Sequence, residues 1–463
     1  MNKTIPFLFL ICAVLALLVG STFGALASFQ YIFPEFLKEV IPFNKIRPLH
    51  VSSVIGWVVL AATGGIYYYL TENLKLSLFS KKLMVVHFTV FMLVALAIYI
   101  SYFTGKMGGR EYMEFLPILT LPILFGWFLF GINYFKTVVK KISNWPVYLW
   151  MWGTGIVFMM YHLSEAHFWF IPYFRENFIR DMSVQWKSYG SFVGSWNMLV
   201  YGTSIFVMAK IKHDDNIGRG KKAFFFYFLG LANLMFGWAH HTYIIPTQPW
   251  IRYVAYAISM TEWVVLYSII IDWKRSLSKQ SVEMNHFSYR FLLATDFWVL
   301  INLFMALLIS IPYLNFFTHG THITVAHSMG TTVGINTTIL LSSLFFILNQ
   351  HQSKLINKTV KSINVGYWLF NVSLFIFLTT LMLAGAKRSS WMYNEMSATP
   401  FSSFHESLFP IITTFIIAGL GILVGLLLVC LPLLKGFIVE ISLPNLPSTR
   451  EGAFVEEQNQ HNQ

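Results

Sequence analysis

Residues 322–348 read HITVAHSMGTTVGINTTILLSSLFFIL, and this stretch indicates the fold more clearly than any other part of the chain. It contains no Asp, Glu, Lys or Arg, and it is longer than the roughly 20 apolar residues that a helix needs to cross a bilayer. It nevertheless carries two histidines near its start, and ionisable residues inside membrane spans are rare and usually functional. The stretch therefore predicts a transmembrane helix whose first turns hold functional side chains.

The rest of the chain repeats this apolar pattern. Of its 463 residues, 56% are apolar and only 11% are charged, whereas a soluble domain has about 25% charged residues. Helices satisfy their own backbone hydrogen bonds in lipid, so the sequence predicts an all-α polytopic membrane protein of about twelve transmembrane helices. The predicted spans are residues 5–27, 50–70, 84–103, 113–136, 146–170, 189–210, 222–243, 252–271, 290–312, 322–348, 365–386 and 408–435.

The charged residues predict how the chain lies in the membrane. With the N-terminus inside, the inner segments hold 21 of the 32 Lys and Arg residues, and positive charge favours the cytoplasmic side. We therefore expect a multi-pass protein of the bacterial inner membrane with both termini in the cytoplasm. Residues 1–441 form one transmembrane domain in this prediction, and residues 442–463 form a polar, disordered cytoplasmic tail. The net charge of +12 does not indicate nucleic acid, because the basic residues lie in short loops between apolar runs.

Histidines fall at one end of several predicted spans. Four widely separated segments bring them to the same depth, near the predicted outer face of the membrane. The alternative is that each histidine makes an isolated hydrogen bond at the interface, but the shared depth favours a common site. The histidines concerned are His50, His162, His167, His240, His241, His319, His322 and His327.

The spacing of two possible ligands also suggests flat cofactors. His327 and Met329 are about 200° apart around an α-helix, so they point to opposite sides and can each bind a different heme. Methionine is an accepted axial ligand of heme iron, although packing is the simpler role for Met329. The adjacent pair His240 and His241 is about 100° apart on an α-helix, and it needs further ligands to hold one metal.

Three motifs and one carboxylate resemble those of a known family. The THGT run at 318–321 with Ala326 and His327, the GWAHH run at 237–241, and His50 with the GGIYYY run at 64–69 are similar to those of nitric oxide reductases. The large cytochrome b polypeptide of these enzymes is part of the heme-copper oxidase superfamily, and the twelve-span layout fits it. Glu262, in the eighth predicted span, resembles a membrane glutamate of the same family.

The resemblance implies a role for each matching residue. His50 would be an axial ligand of a low-spin b-type heme, and His327 would be the proximal ligand of a second, high-spin b-type heme. His240 and His241 would hold a non-heme iron or copper facing that second heme. Glu262 would carry protons or support the metal.

The chain departs from the family pattern in two places. The family has His-x-His on the tenth helix, whereas this chain has His327-Ser328-Met329, so the low-spin heme would have His50 and Met329 as ligands or would lack the second one. The sixth-helix His and Glu that complete the family's metal site are absent from residues 188–197. Candidate replacement ligands are His162 with Glu165, which share a helix face at i and i+3, and the oxygen of Tyr189. The alternatives are a hydrogen-bonded pair at the interface or a propionate contact for His162 and Glu165, and a hydrogen-bond donor role for Tyr189.

Cations on the predicted outer side offer contacts to heme propionates. Arg47 lies three residues before His50, and Arg388 lies in the loop after the eleventh span. Ordinary positioning of long cationic side chains at the membrane interface is the alternative for both residues.

Taken together, the residues and the resemblance predict a membrane oxidoreductase that reduces nitric oxide to nitrous oxide. The chain lacks the His-Pro-Glu-x-x-x-Tyr run of oxygen-reducing relatives, which favours nitric oxide as the gaseous substrate. The alternatives are a nitric oxide dismutase-like enzyme, an oxygen reductase, and a non-enzymatic heme relay or sensor without the second metal. Neither Cys12 nor Cys430 belongs to a C-x-x-C-H heme site, so the donor would be a separate cytochrome c subunit, a soluble cytochrome c or quinol.

Overall fold

The computed structural model describes residues 3–396 and 398–442, and within them every regular element is helical. The fold class predicted from the sequence is confirmed. Twelve long helices follow one another along the chain and are numbered here in that order. They are α1 (Thr4–Phe29), α2 (Phe43–Tyr68), α3 (Lys81–Phe103), α4 (Thr120–Val138), α5 (Val147–Glu165), α6 (Phe178–Lys212), α7 (Lys221–Phe236), α8 (Pro249–Arg275), α9 (His286–Ser310), α10 (His322–Gln352), α11 (Leu355–Asn394) and α12 (Phe409–Ser442).

Ten of these helices are long and apolar enough to cross a membrane, counted over the described residues. The other two, α5 and α8, coincide with the predicted spans 146–170 and 252–271 but are not among the ten. Helix α5 is short, with 19 residues, and is rich in Trp, Tyr, Gly and Met instead of aliphatic residues. Helix α8 carries several charged residues along its length. The predicted tail, apart from Ser442, lies outside the described residues.

Helix α6 begins eleven residues before its predicted start at Tyr189. Asn177 caps it, with its side-chain oxygen accepting a hydrogen bond from the backbone N–H of Arg180 at 3.1 Å. The added turns mix apolar residues with charged and amide side chains, so a rule that looks for uninterrupted apolar runs does not detect them. They place Trp186 on the wall of the candidate site, Asp181 beside Arg110 and Lys187 beside Glu165.

Helix α10 lies at the centre of the bundle. Of its most apolar 18-residue stretch, 89% is buried, compared with 28% for α3 at the periphery. Buried hydroxyl and amide side chains on α10 are joined to surrounding helices. Trp57 of α2 donates to Thr337 at 3.1 Å, and Asn336 donates to Asn197 of α6 at 3.0 Å. These contacts set the position of α10 between the two helices that carry other parts of the site.

The regular α-helical winding is interrupted at one place that carries predicted ligands and at another that directly follows them. Residues Gly330–Asn336 form a π-helical segment inside α10, and Gly237–His241 form a 3-10 segment after α7. The predicted angle of 100° between His240 and His241 is therefore wrong, because successive residues of a 3-10 helix are about 120° apart. His327 and Met329 both lie in the α-helical part, His322–Met329, so their predicted separation of about 200° holds.

Candidate heme site

A cavity opens between helices at the end of the bundle where α2 and α10 begin, called here the histidine end. It encloses about 1650 Å³ of space between side chains, including open solvent at its mouth. Valine and isoleucine side chains of α2 and glycine, valine and aromatic residues of α6 form much of the wall. Five of the predicted ligands line this one cavity: His50, His240, His241, His327 and Met329.

His50 is oriented by the neighbouring helix α1. Its Nδ1 lies 2.7 Å from the backbone carbonyl oxygen of Gly20, and a carbonyl only accepts, so Nδ1 carries the proton. That tautomer leaves Nε2 deprotonated and available as a ligand. The ring also depends on Gly24, because a Cβ at that position would lie 2.7 Å from Nδ1 and 2.8 Å from Cε1.

The position of His327 is set by the start of the π-helical segment. Its backbone carbonyl accepts a hydrogen bond from the hydroxyl of Thr331 at 3.2 Å, and Thr331 accepts one from the side-chain amide of Asn302 at 2.7 Å. The His327 ring is buried, and its Nδ1 has no hydrogen-bond partner within the described residues. A buried imidazole without a partner costs free energy, so this ring fits a metal better than it fits an apolar core.

The backbone of the His240–His241 pair is held by the segment that precedes α10. Asn315 donates to the carbonyl of His240 at 3.2 Å, and Nε2 of His319 donates to the carbonyl of His241 at 3.0 Å. Trp186 of α6 stacks on the His241 ring with centroids 5.8 Å apart and planes 15° apart. The His240 ring lies 6.2 Å from the His327 ring, measured between centroids, with the planes at 82°.

Residues 104–116, called here the strap, cover one side of the cavity. Tyr112 and Met113 of the strap line the cavity, and the Tyr112 ring meets the Tyr189 ring edge-on at 5.8 Å. Tyr112 has φ of +69°, a left-handed conformation that a residue with a side chain rarely adopts. Such conformations persist only where the surrounding contacts enforce them.

Two arginines enforce the strap's conformation. Arg47 of α2 donates to Glu111 at 2.6 Å and to Glu114 at 3.0 Å, and Arg110 donates to both carboxylate oxygens of Asp181 at 2.8 and 2.9 Å. Burial raises the pKa of the Glu114 carboxyl. Arg47 is thus engaged with strap carboxylates, and its predicted contact with a heme propionate remains a prediction.

Sequence reasoning missed Arg110, Glu111 and Tyr112. The strap has neither apolar periodicity nor a recognisable motif, so its role was not detectable without the fold.

Three predicted site residues do not line the cavity: His162, Glu165 and Arg388. His162 and Glu165 form their own buried cluster, with His162 Nδ1 donating to Glu165 at 3.0 Å and Lys187 pairing with the other carboxylate oxygen. Arg388 is partly exposed, with its guanidinium 5.9 Å from the Phe401 ring centroid. Glu262 lies on α8, but its side chain is outside the described part of the structure. The proposed roles of His162 and Glu165 as ligands stay predictions.

The residues fit heme better than they fit a second metal. Imidazoles from three segments and one thioether converge on a cavity that has apolar walls, and heme iron accepts both kinds of ligand. Within the described residues no three His, Cys, Asp or Glu side chains come together to hold a metal ion. On α6, Ser195 donates to the backbone carbonyl of Ser191, and Tyr189 and Asn197 line the cavity together with aromatic, apolar and small residues.

The cavity lies among helices long enough to cross a membrane, and comparison with known proteins identifies the family. The chain matches the family described as Cytochrome C and Quinol oxidase polypeptide I over residues 4–429, so it belongs to the heme-copper oxidase subunit I family. Members of this family are oxidoreductases that bind hemes together with copper or a non-heme iron. The predicted family is confirmed.

Similar proteins include both reductases and oxidases. The chain is 22% identical to a nitric oxide reductase subunit of Stutzerimonas stutzeri over 442 residues, covering 89% of this chain and 90% of that one. It is also 22% identical over 405 residues to the Cbb3-type cytochrome c oxidase subunit CcoN1 of the same organism, covering 84% of this chain and 85% of that one. The solved structure of a heme-copper terminal oxidase dimer has the same fold, with a TM-score of 0.74 at 14% identity, covering 97% of this chain and 85% of that one.

Proposed function

We propose that this protein is a nitric oxide reductase, converting two nitric oxide molecules, two electrons and two protons into nitrous oxide and water. The observation that carries the proposal is the convergence of His50, His240, His241, His327 and Met329 on one cavity. These residues come from parts of the chain that are nearly 280 positions apart in sequence. Histidines that only form hydrogen bonds at the membrane interface would not be expected to line one cavity.

His50, Met329 and His327 each have a distinct part in this proposal. His50 presents Nε2 and, together with Met329, holds a low-spin b-type heme that receives electrons. His327 holds a second b-type heme, and Met329 points to the opposite side of α10, so one helix spaces the two hemes. Bound heme supplies reversible electron transfer and an iron that takes small gaseous ligands.

Nitric oxide is favoured over oxygen by one observation. The sequence lacks the tyrosine motif with which oxygen-reducing relatives are recognised. A nitric oxide reductase subunit and oxidase subunits match the chain at similar identity and coverage, so these relatives are compatible with either gas. The electron donor in this proposal is a cytochrome c subunit, a soluble cytochrome c or quinol, acting at an inner-membrane protein whose histidine end faces outward.

The cavity wall is mostly apolar. Valines and isoleucines of α2 and aromatic residues of α6 surround the ligands, and the strap covers one side. A low-dielectric surrounding of this kind favours neutral gases over ions as substrates. Tyr189 and Tyr112 are the tyrosine side chains on the described part of this wall, and their hydroxyls offer positions where a proton can be held near the site.

Gas consumption by purified protein tests the proposal. Protein expressed with ample heme is supplied under anaerobic conditions with ascorbate and a redox mediator, while nitric oxide is followed by electrode and nitrous oxide by gas chromatography. We expect nitric oxide loss and nitrous oxide formation in a 2:1 ratio, abolished in His327→Ala. Oxygen consumption without nitric oxide turnover would contradict the proposal, as would gas formation that needs no reductant, which indicates dismutation.

One observation favours a second candidate, a heme relay or sensor that has lost the second metal. Within the described residues the donors needed for that metal are not assembled. The measured ratio of metal to heme separates the two functions. Heme iron as the sole metal, together with no gas turnover, would support the relay.

A further inference from the structure

The distance between the rings of His240 and His327 bears on what occupies the space between them. Both rings line the cavity, one from the 3-10 segment after α7 and one from α10. We propose that His240 is the sixth ligand of the iron that His327 binds, so that the resting site is a bis-imidazole heme. The inference rests on the heme-binding part of the proposed function and not on the reaction.

The ring separation agrees with one iron between two imidazoles. A metal–imidazole bond is about 2.0–2.1 Å, and a ring nitrogen lies about 1.2 Å from the ring centre, so two opposed ligands on one metal place their centroids about 6.4 Å apart. The observed distance is 6.2 Å. Planes that contain one common axis can have any angle between them, so the observed 82° is compatible with this arrangement.

Binding to two different metals requires a larger distance. Paired metals in catalytic sites are about 3.5–4 Å apart, which would place collinear ring centroids about 10 Å apart. The observed separation is nearly 4 Å less than that. The geometry therefore favours one shared iron over a heme that faces a separate metal on His240.

The surroundings of the two rings agree with ligation. Nδ1 of His240 and Nδ1 of His327 are both buried without a hydrogen-bond partner within the described residues. The His241 ring, in contrast, stacks on Trp186. His240 is therefore the better candidate for the iron, and His241 provides a matched control.

A consequence is that a gas reaches the iron only when His240 dissociates. If His240 occupies the sixth position for 90–99% of the time, the apparent affinity for a competing ligand falls by about 10- to 100-fold. Carbon monoxide is a suitable probe, because it binds ferrous heme with an open position and undergoes no turnover here. The heme on His50 serves as an internal reference in the same sample.

Absorption and resonance Raman spectra with carbon monoxide titration test the inference on the full chain. We expect the wild type to contain only low-spin heme and to bind carbon monoxide weakly. His240→Ala is expected to convert one of the two hemes to the high-spin form and to strengthen carbon monoxide binding by about 10- to 100-fold. Added imidazole should restore the low-spin form in that variant, and His241→Gln should resemble the wild type.

Several outcomes would overturn the inference. One is a wild type with a high-spin heme that binds carbon monoxide tightly, which would leave the proposed reductase intact. Another is an unchanged spectrum in His240→Ala that retains both hemes. If His240→Ala loses heme, His240→Gln is measured instead, and low-spin heme in that variant with weak carbon monoxide binding would also contradict the ligand assignment. A colourless wild type would refute heme binding and with it the proposed function.

Discussion

Replacing Gly24 with alanine tests whether His50 binds heme, because the added methyl group would collide with the ring that we assign as a ligand. The new Cβ would lie 2.7 Å from Nδ1 and 2.8 Å from Cε1 of His50. Non-bonded carbon atoms are most favourably about 3.5–4.0 Å apart, so the ring must retreat by about 0.8 Å or more. The bond from Nδ1 to the Gly20 carbonyl is 2.7 Å long and tolerates only about 0.5 Å of lengthening.

The expected loss follows from the role of that bond. Partners that orient a ligating histidine typically contribute about 10- to 100-fold to metal affinity. This range equals about 1.4–2.8 kcal/mol of binding free energy. Gly24→Ala is therefore expected to weaken the binding of one heme by this factor and to leave the heme on His327 in place.

Heme titration of the apoprotein measures this effect, together with the heme-to-protein ratio of protein purified after expression with limiting heme. Gly56→Ala is the matched control, because Gly56 also lies between α1 and α2 but its Cβ would meet only Ala16, at 3.8 Å. Equal heme affinity in Gly24→Ala and Gly56→Ala would refute the assignment of His50. A fall in the melting temperature of both apoproteins would instead indicate damage to the packing of the two helices.

Three further predictions concern other parts of the site. Met329→Leu, which conserves the side-chain volume, should remove the absorption signature of a heme with His and Met ligands. Met113→Leu, on the same cavity wall, should keep that signature. An unchanged spectrum in Met329→Leu would exclude the thioether as a ligand. Glu165→Gln should lower the free energy of unfolding by about 2–3 kcal/mol, because it leaves a lysine that is only 22% exposed without its partner. As a control, Glu35→Gln removes an exposed pair and should change the free energy of unfolding by less than about 1 kcal/mol. Burial raises the pKa of Glu114, so this carboxyl stabilises the fold fully below its unfolded pKa and loses that contribution as pH rises through its folded pKa. Over that pH range, the melting temperature of Glu114→Gln should therefore fall less steeply with pH than that of the wild type. Parallel melting curves for wild type and Glu114→Gln at every pH would contradict this reasoning.

The sequence was sufficient to predict the helices, because a span in lipid needs a long apolar run, and the length of such a run locates a helix with few alternatives. Of the histidines predicted to lie at one depth, His50, His240, His241 and His327 line one cavity. His162 pairs instead with Glu165, and His167 lies beside Thr120.

Other features depend on contacts that leave no mark in a single sequence. Lys187 lies just before the predicted span 189–210. It pairs with Glu165 only because α6 extends past the end of α5. The pairing of Arg47 with Glu111 joins a helix to a loop more than sixty residues away. The predicted angle between His240 and His241 rests on α-helical rotation per residue. These residues lie in a 3-10 segment, so their side chains diverge by a different angle.

The π-helical segment Gly330–Asn336 determines how α10 responds to a change in its length. A π turn holds one residue more than an α turn, so removing one residue between 330 and 336 would restore ordinary winding with nearly the same total rotation across the segment. His327 would then keep its direction into the cavity. Removing one residue from the α-helical stretch that follows Asn336 would instead rotate the part of α10 before the deletion by about 100° relative to the part after it, and His327 would leave the cavity.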